Sequence, residues 1–251
     1  MVLLLFVDLD PDLAALRPLG GFFVLRTDGA RADSLPTLAQ AYAVTAPDVP
    51  GNPLVFRLRK VAAALGTREV RVAASVAQQG LAARLWSVAL GSAVLCGAVP
   101  DLDPGLLRWD PDAGAPDDLR LTGVRALPAD AATIADVVLC GHLDPLAAAL
   151  AAHGGPAPGL LRGNAASALA GAARELDRRA RLHGRPDAAA RAGSLAAELL
   201  AHPGLAGAGT LTGTSFRRRS CCLYYRVPGG GVCGDCCFPR PPRSSPRAAS
   251  G

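Results

Sequence analysis

Five of the chain's seven cysteines, Cys221, Cys222, Cys233, Cys236 and Cys237, fall within seventeen residues. They come as a vicinal pair, ten intervening residues, a Cys-x-x-Cys and one further thiol, so the chain between the two groups has to reverse. Pro228, Gly229, Gly230 and Gly231 supply the reversal, because proline presets a turn dihedral and glycine reaches the left-handed region. The two cysteine-bearing arms are expected to face one another as a hairpin. Four thiols in reach of one point form a metal-binding arrangement wherever thiols stay reduced.

The vicinal pair bears on which metal. Structural zinc sites separate the two ligands of each arm by two to four residues, so that the chain can wrap a single tetrahedral ion. Adjacent cysteines point apart, which suits a binuclear centre offering ligand positions in different directions, and iron-sulfur is therefore preferred to zinc. A disulfide pair or a reactive dithiol is the remaining alternative. Cys237, beside Phe238, reads as a spare buried thiol able to exchange with Cys236, and Cys96 and Cys140 read as small core residues in apolar helical sequence. His142, His153, His183 and His202 are scattered near expected helix ends, so ligation by cysteine alone is expected.

The chain as a whole contains 50 alanines and a single isoleucine, Ile134. An apolar fraction made of small helix formers with little β-branched bulk predicts a mainly helical core. The spacing predicts a short strand from Gly20 to Leu25 followed by a turn at Asp28 and Gly29, and a helix carrying Leu54, Leu58, Val61 and Leu65 that ends at Gly66. A helical region follows from Val70 to Cys96 with interruptions at Gly80 and Gly91, and then a hairpin pairs Leu106–Trp109 with Leu119–Val124. Further helices are expected over Ala131–Ala152, restarted at Pro145, in the stretch capped by Asn164 with Ala165, Ala168, Leu169, Ala172 and Leu176 on one face, and over Asp187–Ala201. The expectation is an α+β chain, mainly α-helical with a small antiparallel β component and a C-terminal iron-sulfur hairpin. Its divisions are a helical domain over 1–205, a linker over 206–216, a cluster-binding segment over 217–238 and a disordered tail over 239–251.

A net charge of +5 and a pI near 9.0 would invite a polyanionic partner if the charge were spread evenly. From Arg217 onward seven arginines face one acid, Asp235, whereas the first 216 residues hold 19 basic and 20 acidic groups. A bound cluster of charge −2 or −3 would offset much of this local excess, so no nucleic-acid partner is expected. The N-terminal MVLLLFVDLD lacks a basic region and a small-residue cleavage site, so it does not read as a signal peptide. The most apolar uncharged run, Leu85–Pro100, is short for a bilayer span. A cytoplasmic protein without an integral membrane segment is expected, with peripheral association left open.

The spacing Cys-Cys-x10-Cys-x2-Cys, here Cys221, Cys222, Cys233 and Cys236, resembles the signature of the FhuF family of ferric-siderophore reductases. The stretches LLRGNAASALAGA and PLVFRLRKVAAALG resemble helical segments of its bacterial members. The resemblance implies that these four cysteines bind a 2Fe-2S cluster, and that the protein is an oxidoreductase releasing iron by one-electron reduction of a ferric siderophore. No strand-linked glycine-rich fingerprint for a dinucleotide is present, so a separate reductase or ferredoxin would supply the electron. Arg217, Arg218, Arg219 and Arg226 are candidates for tuning the cluster or docking a partner; one arginine at ~6 Å and an effective dielectric near 20 favours the reduced form by roughly 3 kcal/mol. Arg84 and Arg162 are candidates for substrate contact. Two other readings remain: a 2Fe-2S electron carrier or redox sensor without siderophore activity, and a zinc module gripping nucleic acid through its arginines and Tyr224 and Tyr225.

Overall fold

The computed structural model describes residues 13, 16–27, 34–43 and 51–242. The expected turn at Asp28 and Gly29 and most of the expected disordered tail lie outside these residues. Helices account for 53% of the structure and the strands form two-stranded antiparallel pairs, as composition predicts. In chain order the elements are α1 (Leu38–Tyr42), α2 (Pro53–Ala64), α3 (Val70–Leu95), β1 (Ala98–Pro100), β2 (Leu107–Trp109), β3 (Leu119–Leu121), β4 (Ala126–Pro128) and α4 (Ala131–Ala135). A π-helix over Asp136–Leu143 leads into α5 (Asp144–Ala152), followed by α6 (Pro158–Leu182), α7 (Pro186–Ala201), β5 (Gly209–Thr212) and β6 (Ser215–Arg218).

Helix α3 is the axis of the molecule. Its second half is buried on every face, with Trp86, Ala89, Leu90 and Ala93 all inaccessible, which is the signature of a central helix. It packs chiefly on α6, whose Ala165, Ala168, Leu169, Ala172 and Leu176 are all buried as their common face predicts. The expected breaks at Gly80 and Gly91 do not occur. A helical glycine costs about 1 kcal/mol relative to alanine, and at Gly91 that cost is offset by packing, because a Cβ there would press on the buried ring of Phe23.

Tertiary contacts alter four further expectations. Gly20–Leu25 forms turns and irregular chain instead of a strand, and a single bridge follows it from Arg26 to Arg120. The reason is Arg84, which is 2% exposed and pairs with Asp118 at 2.9 Å while donating to the Phe22 and Val24 carbonyls. Arg84 is therefore a structural pin, whereas Arg162 stays on the surface. Asn164 is not a cap: α6 begins six residues earlier with Pro158, a residue suited to the first turn. The stretch 206–216, expected as a linker, carries β5 and the turn into β6, paired from Gly209 with Arg218 to Thr212 with Ser215. Its glycines serve the pairing, since a Cβ on Gly209 would collide with the Phe216 ring.

The hairpin of β2 and β3 forms as expected, with Leu107 opposite Leu121 and Trp109 opposite Leu119. The helical stretch Ala131–Ala152 is long and apolar enough to cross a membrane by length and composition, and half of it is buried against the rest of the protein. Cys140 is exposed and so is not the core residue that its apolar surroundings suggest, whereas Cys96 is half-buried and packs against the core.

Candidate metal centre

β6 runs along α6 and delivers the chain to Cys221 and Cys222. The approach is close because Gly163, in the second turn of α6, has no side chain: a Cβ there would collide with the Ser220 hydroxyl. Leu223 then adopts φ 68°, a left-handed conformation uncommon outside glycine, and turns the chain into a short 3-10 helix over Tyr224–Arg226. Gly229, at φ 72°, completes the reversal. The arms do face one another, with the Cys222 and Cys233 sulfurs 3.6 Å apart. They are joined by irregular turns and not by strand pairing.

Two of the sulfurs receive backbone donors. Leu223 N–H donates to Cys221 Sγ at 3.3 Å and Phe238 N–H to Cys236 Sγ at 3.4 Å. The hydrogen bond between Cys222 and Cys233 pulls Cys222 down to about 6, with the Tyr224 backbone and the Arg218 charge acting in the same direction. Cys233 is correspondingly pushed up by that bond and by burial. Burial likewise pushes up Cys221, which also senses Cys222, Cys236 and Cys237. Cys237 is half-buried, raised by burial and next by the Cys236 charge, so it borders the site without being the enclosed thiol expected.

The four candidate arginines separate by environment. Arg218 is 2% exposed and donates to the Ser220 carbonyl and the Asn164 side-chain oxygen. Asn164 in turn donates to the Ser75 carbonyl at 2.9 Å, and the Ser75 hydroxyl donates to the Cys222 carbonyl at 2.7 Å. A buried cation and two helices are thereby tied to the backbone of a cluster cysteine. Arg226 instead donates to Glu69 through Nε and Nη2, at 2.8 to 3.0 Å, and holds that carboxyl below its usual range. Arg217 and Arg219 are exposed, and Arg217 reaches the Cys237 carbonyl at 3.3 Å.

Sequence reasoning missed Asp235, which is buried between Cys233 and Cys236. It accepts from the Ser167 hydroxyl at 2.6 Å and from Arg174 at 3.3 Å, and its carbonyl accepts from Arg218 N–H. It was visible as the one acid in the basic segment, but its partners lie on α6, more than sixty residues away. Ser75 and Glu69 had no sequence signal at all.

The donor set suits a thiolate-ligated iron-sulfur centre. With metal–sulfur bonds of about 2.3 Å, two thiolates on one tetrahedral ion stand roughly 3.8 Å apart, close to the 3.6 Å between Cys222 and Cys233. Among the described residues, no three His, Cys, Asp or Glu side chains already converge on a single ion position. Backbone N–H groups aimed at the sulfurs and a buried cation beside them are the means by which proteins stabilise such clusters. The segment is that of an iron-sulfur protein with a 2Fe-2S cofactor. Residues 218–238 match the family model described as the FhuF 2Fe-2S C-terminal domain, as the cysteine spacing predicts. A search of curated proteins found no match for the chain.

Proposed function

We propose that the protein reduces siderophore-bound ferric iron by one electron and so releases it as ferrous iron in the cytoplasm. The observation that carries this reading is the position of Cys222 and Cys233, which are among the residues lining an open surface groove. A bound 2Fe-2S cluster supplies a one-electron couple, held by Cys221, Cys222, Cys233 and Cys236. Arg218 offsets the negative charge that reduction adds, and the backbone donors to Cys221 and Cys236 act in the same sense.

The acceptor side follows from coordination chemistry. Hard anionic oxygen ligands hold ferric iron tightly and ferrous iron weakly, so one added electron frees the metal without breaking a bond in the siderophore. A separate reductase or ferredoxin replaces the electron. The test is a single turnover: protein reduced anaerobically with dithionite and freed of excess is mixed with a ferric siderophore and a ferrous trap. Recovery of the oxidised cluster spectrum, with one ferrous ion trapped per cluster, is expected. A reduced spectrum that persists against several siderophore types would reject the reading and leave an electron carrier or redox sensor.

A further inference from the structure

The groove that contains Cys222 and Cys233 has a volume of about 360 Å³ and lies between Phe22 and Tyr224. It shares Phe22, Gln79 and Ala83 with a second depression of about 430 Å³ that reaches Arg174 and Asp235. Both are within the size range of small-molecule sites. We propose that this groove, floored by Gly80, seats the electron acceptor and that it takes an uncharged ferric chelate with an apolar outer face. The proposal rests on the reductase reading and adds the place and the chemical class.

Three observations carry it. Gly80 lies in the middle of α3, where glycine is unfavourable, yet no atom lies within 4 Å of where its Cβ would be. Packing does not require glycine there; its effect is to keep the groove floor low beside the cluster cysteines. The flanking aromatics are open to solvent, with Phe22 46% and Tyr224 40% exposed, and Arg84 fixes the Phe22 wall by binding its carbonyl. Apart from the cysteines, the residues lining this groove carry no ionisable group except the Tyr224 phenol. The nearby cations are committed, Arg226 to Glu69 and Arg218 to buried acceptors. An anionic chelate would lose hydration here without meeting a cation in the groove lining, because the Arg218 charge is buried and offsets the cluster, and it would face the negative cluster.

The test uses cluster-loaded protein and gallium(III) tris-maltolate, an uncharged chelate whose metal resembles ferric iron but accepts no electron. Calorimetric titration is expected to show binding that weakens about tenfold or more in Gly80→Leu. Visible and paramagnetic-resonance spectra should show the cluster unchanged, and Phe22→Ala, at an exposed position, should weaken binding without affecting the fold. Triply anionic gallium tris-catecholate should bind more weakly and be indifferent to Gly80→Leu. No binding of the maltolate complex, equal binding by Gly80→Leu, or a preference for the anionic complex would overturn the proposal. Ferric tris-maltolate separates it from the reading it rests on: reduction at equal rates by wild type and Gly80→Leu rejects the groove and leaves the reductase. Binding without any reduction rejects the acceptor role. Slower reduction of Gly80→Leu by a protein donor, with gallium binding intact, would make the groove a donor-docking face and also overturn the proposal.

Discussion

Arg218 and Arg226 are eight residues apart and differ in what offsets their charge. Arg226 meets a carboxylate at the start of α3, and the pair is close to neutral as seen from the cysteines. Arg218 is enclosed, bound to neutral oxygens, and keeps its full charge beside Cys222 and Cys233. Removing that charge should disfavour the more negative, reduced cluster. Arg218→Gln is expected to lower the reduction potential by roughly 50 mV or more, since about 1.4 kcal/mol corresponds to 59 mV for one electron. Arg218→Lys should stay closer to wild type, and Arg226→Gln should move the potential less. Potentiometric titration followed in the visible spectrum decides this, and equal potentials for Arg218→Gln and wild type would remove Arg218 from the tuning role. Sequence placed all four arginines near the cluster but could not rank them. The ranking depends on Asn164 and Glu69, each more than fifty residues away.

Among the elements, the π-helix between α4 and α5 is the one that the sequence least suggested. Its wide turns carry His142 into the core, where Tyr42 Oη lies 2.9 Å from Nδ1 and the Leu102 carbonyl faces Nε2. The carbonyl can only accept, so Nε2 carries the proton and the Tyr42 hydroxyl donates to Nδ1. The ring is fully buried and neutral, and burial lowers its pKa from 6.5 to about 4. The unfolded chain binds this proton more readily, so the folded state is fully favoured above about pH 6.5 and loses stability as pH falls towards 4. The full loss is roughly 3 kcal/mol. Urea unfolding at pH 7 and pH 4.5 should show about 2 kcal/mol of this loss in wild type and its absence in His142→Gln, which keeps a donor and an acceptor. Helices with regular apolar spacing were readable from sequence, as α2, α3 and α7 show. The strand expected at Gly20–Leu25 was not realised, because a buried arginine from another element claims its carbonyls.

For the whole molecule, the hydrophobic core and the cysteine segment are joined but not merged. The contiguous core extends through Leu205 and Ala208 to Phe216 and does not include Cys222 or Val227, which are buried separately. Metal affinity is therefore expected to contribute to the ordering of the segment and not to that of the helices. Removing iron with a chelator under reducing conditions should raise amide exchange across 219–238 while α3 and α6 stay protected. Loss of protection along the entire chain would show instead that the cluster is part of the global fold. The same separation explains why the ligand set was legible and the groove was not. The four cysteines declare themselves within sixteen residues, whereas Phe22, Gly80 and Tyr224 meet only after the chain has folded.

Helix α3 links these regions along one rigid element. Ser75 holds the Cys222 carbonyl, Gly80 floors the groove, Arg84 fixes the Phe22 wall and Gly91 receives Phe23, all within one unbroken run of 26 residues. Each residue added to or taken from such a rod rotates everything beyond it by roughly 100° and moves it by about 1.5 Å. A single insertion or deletion between Ser75 and Arg84 would turn the pin, the floor and the cysteine anchor out of phase together. This stretch can therefore vary in composition far more freely than in length.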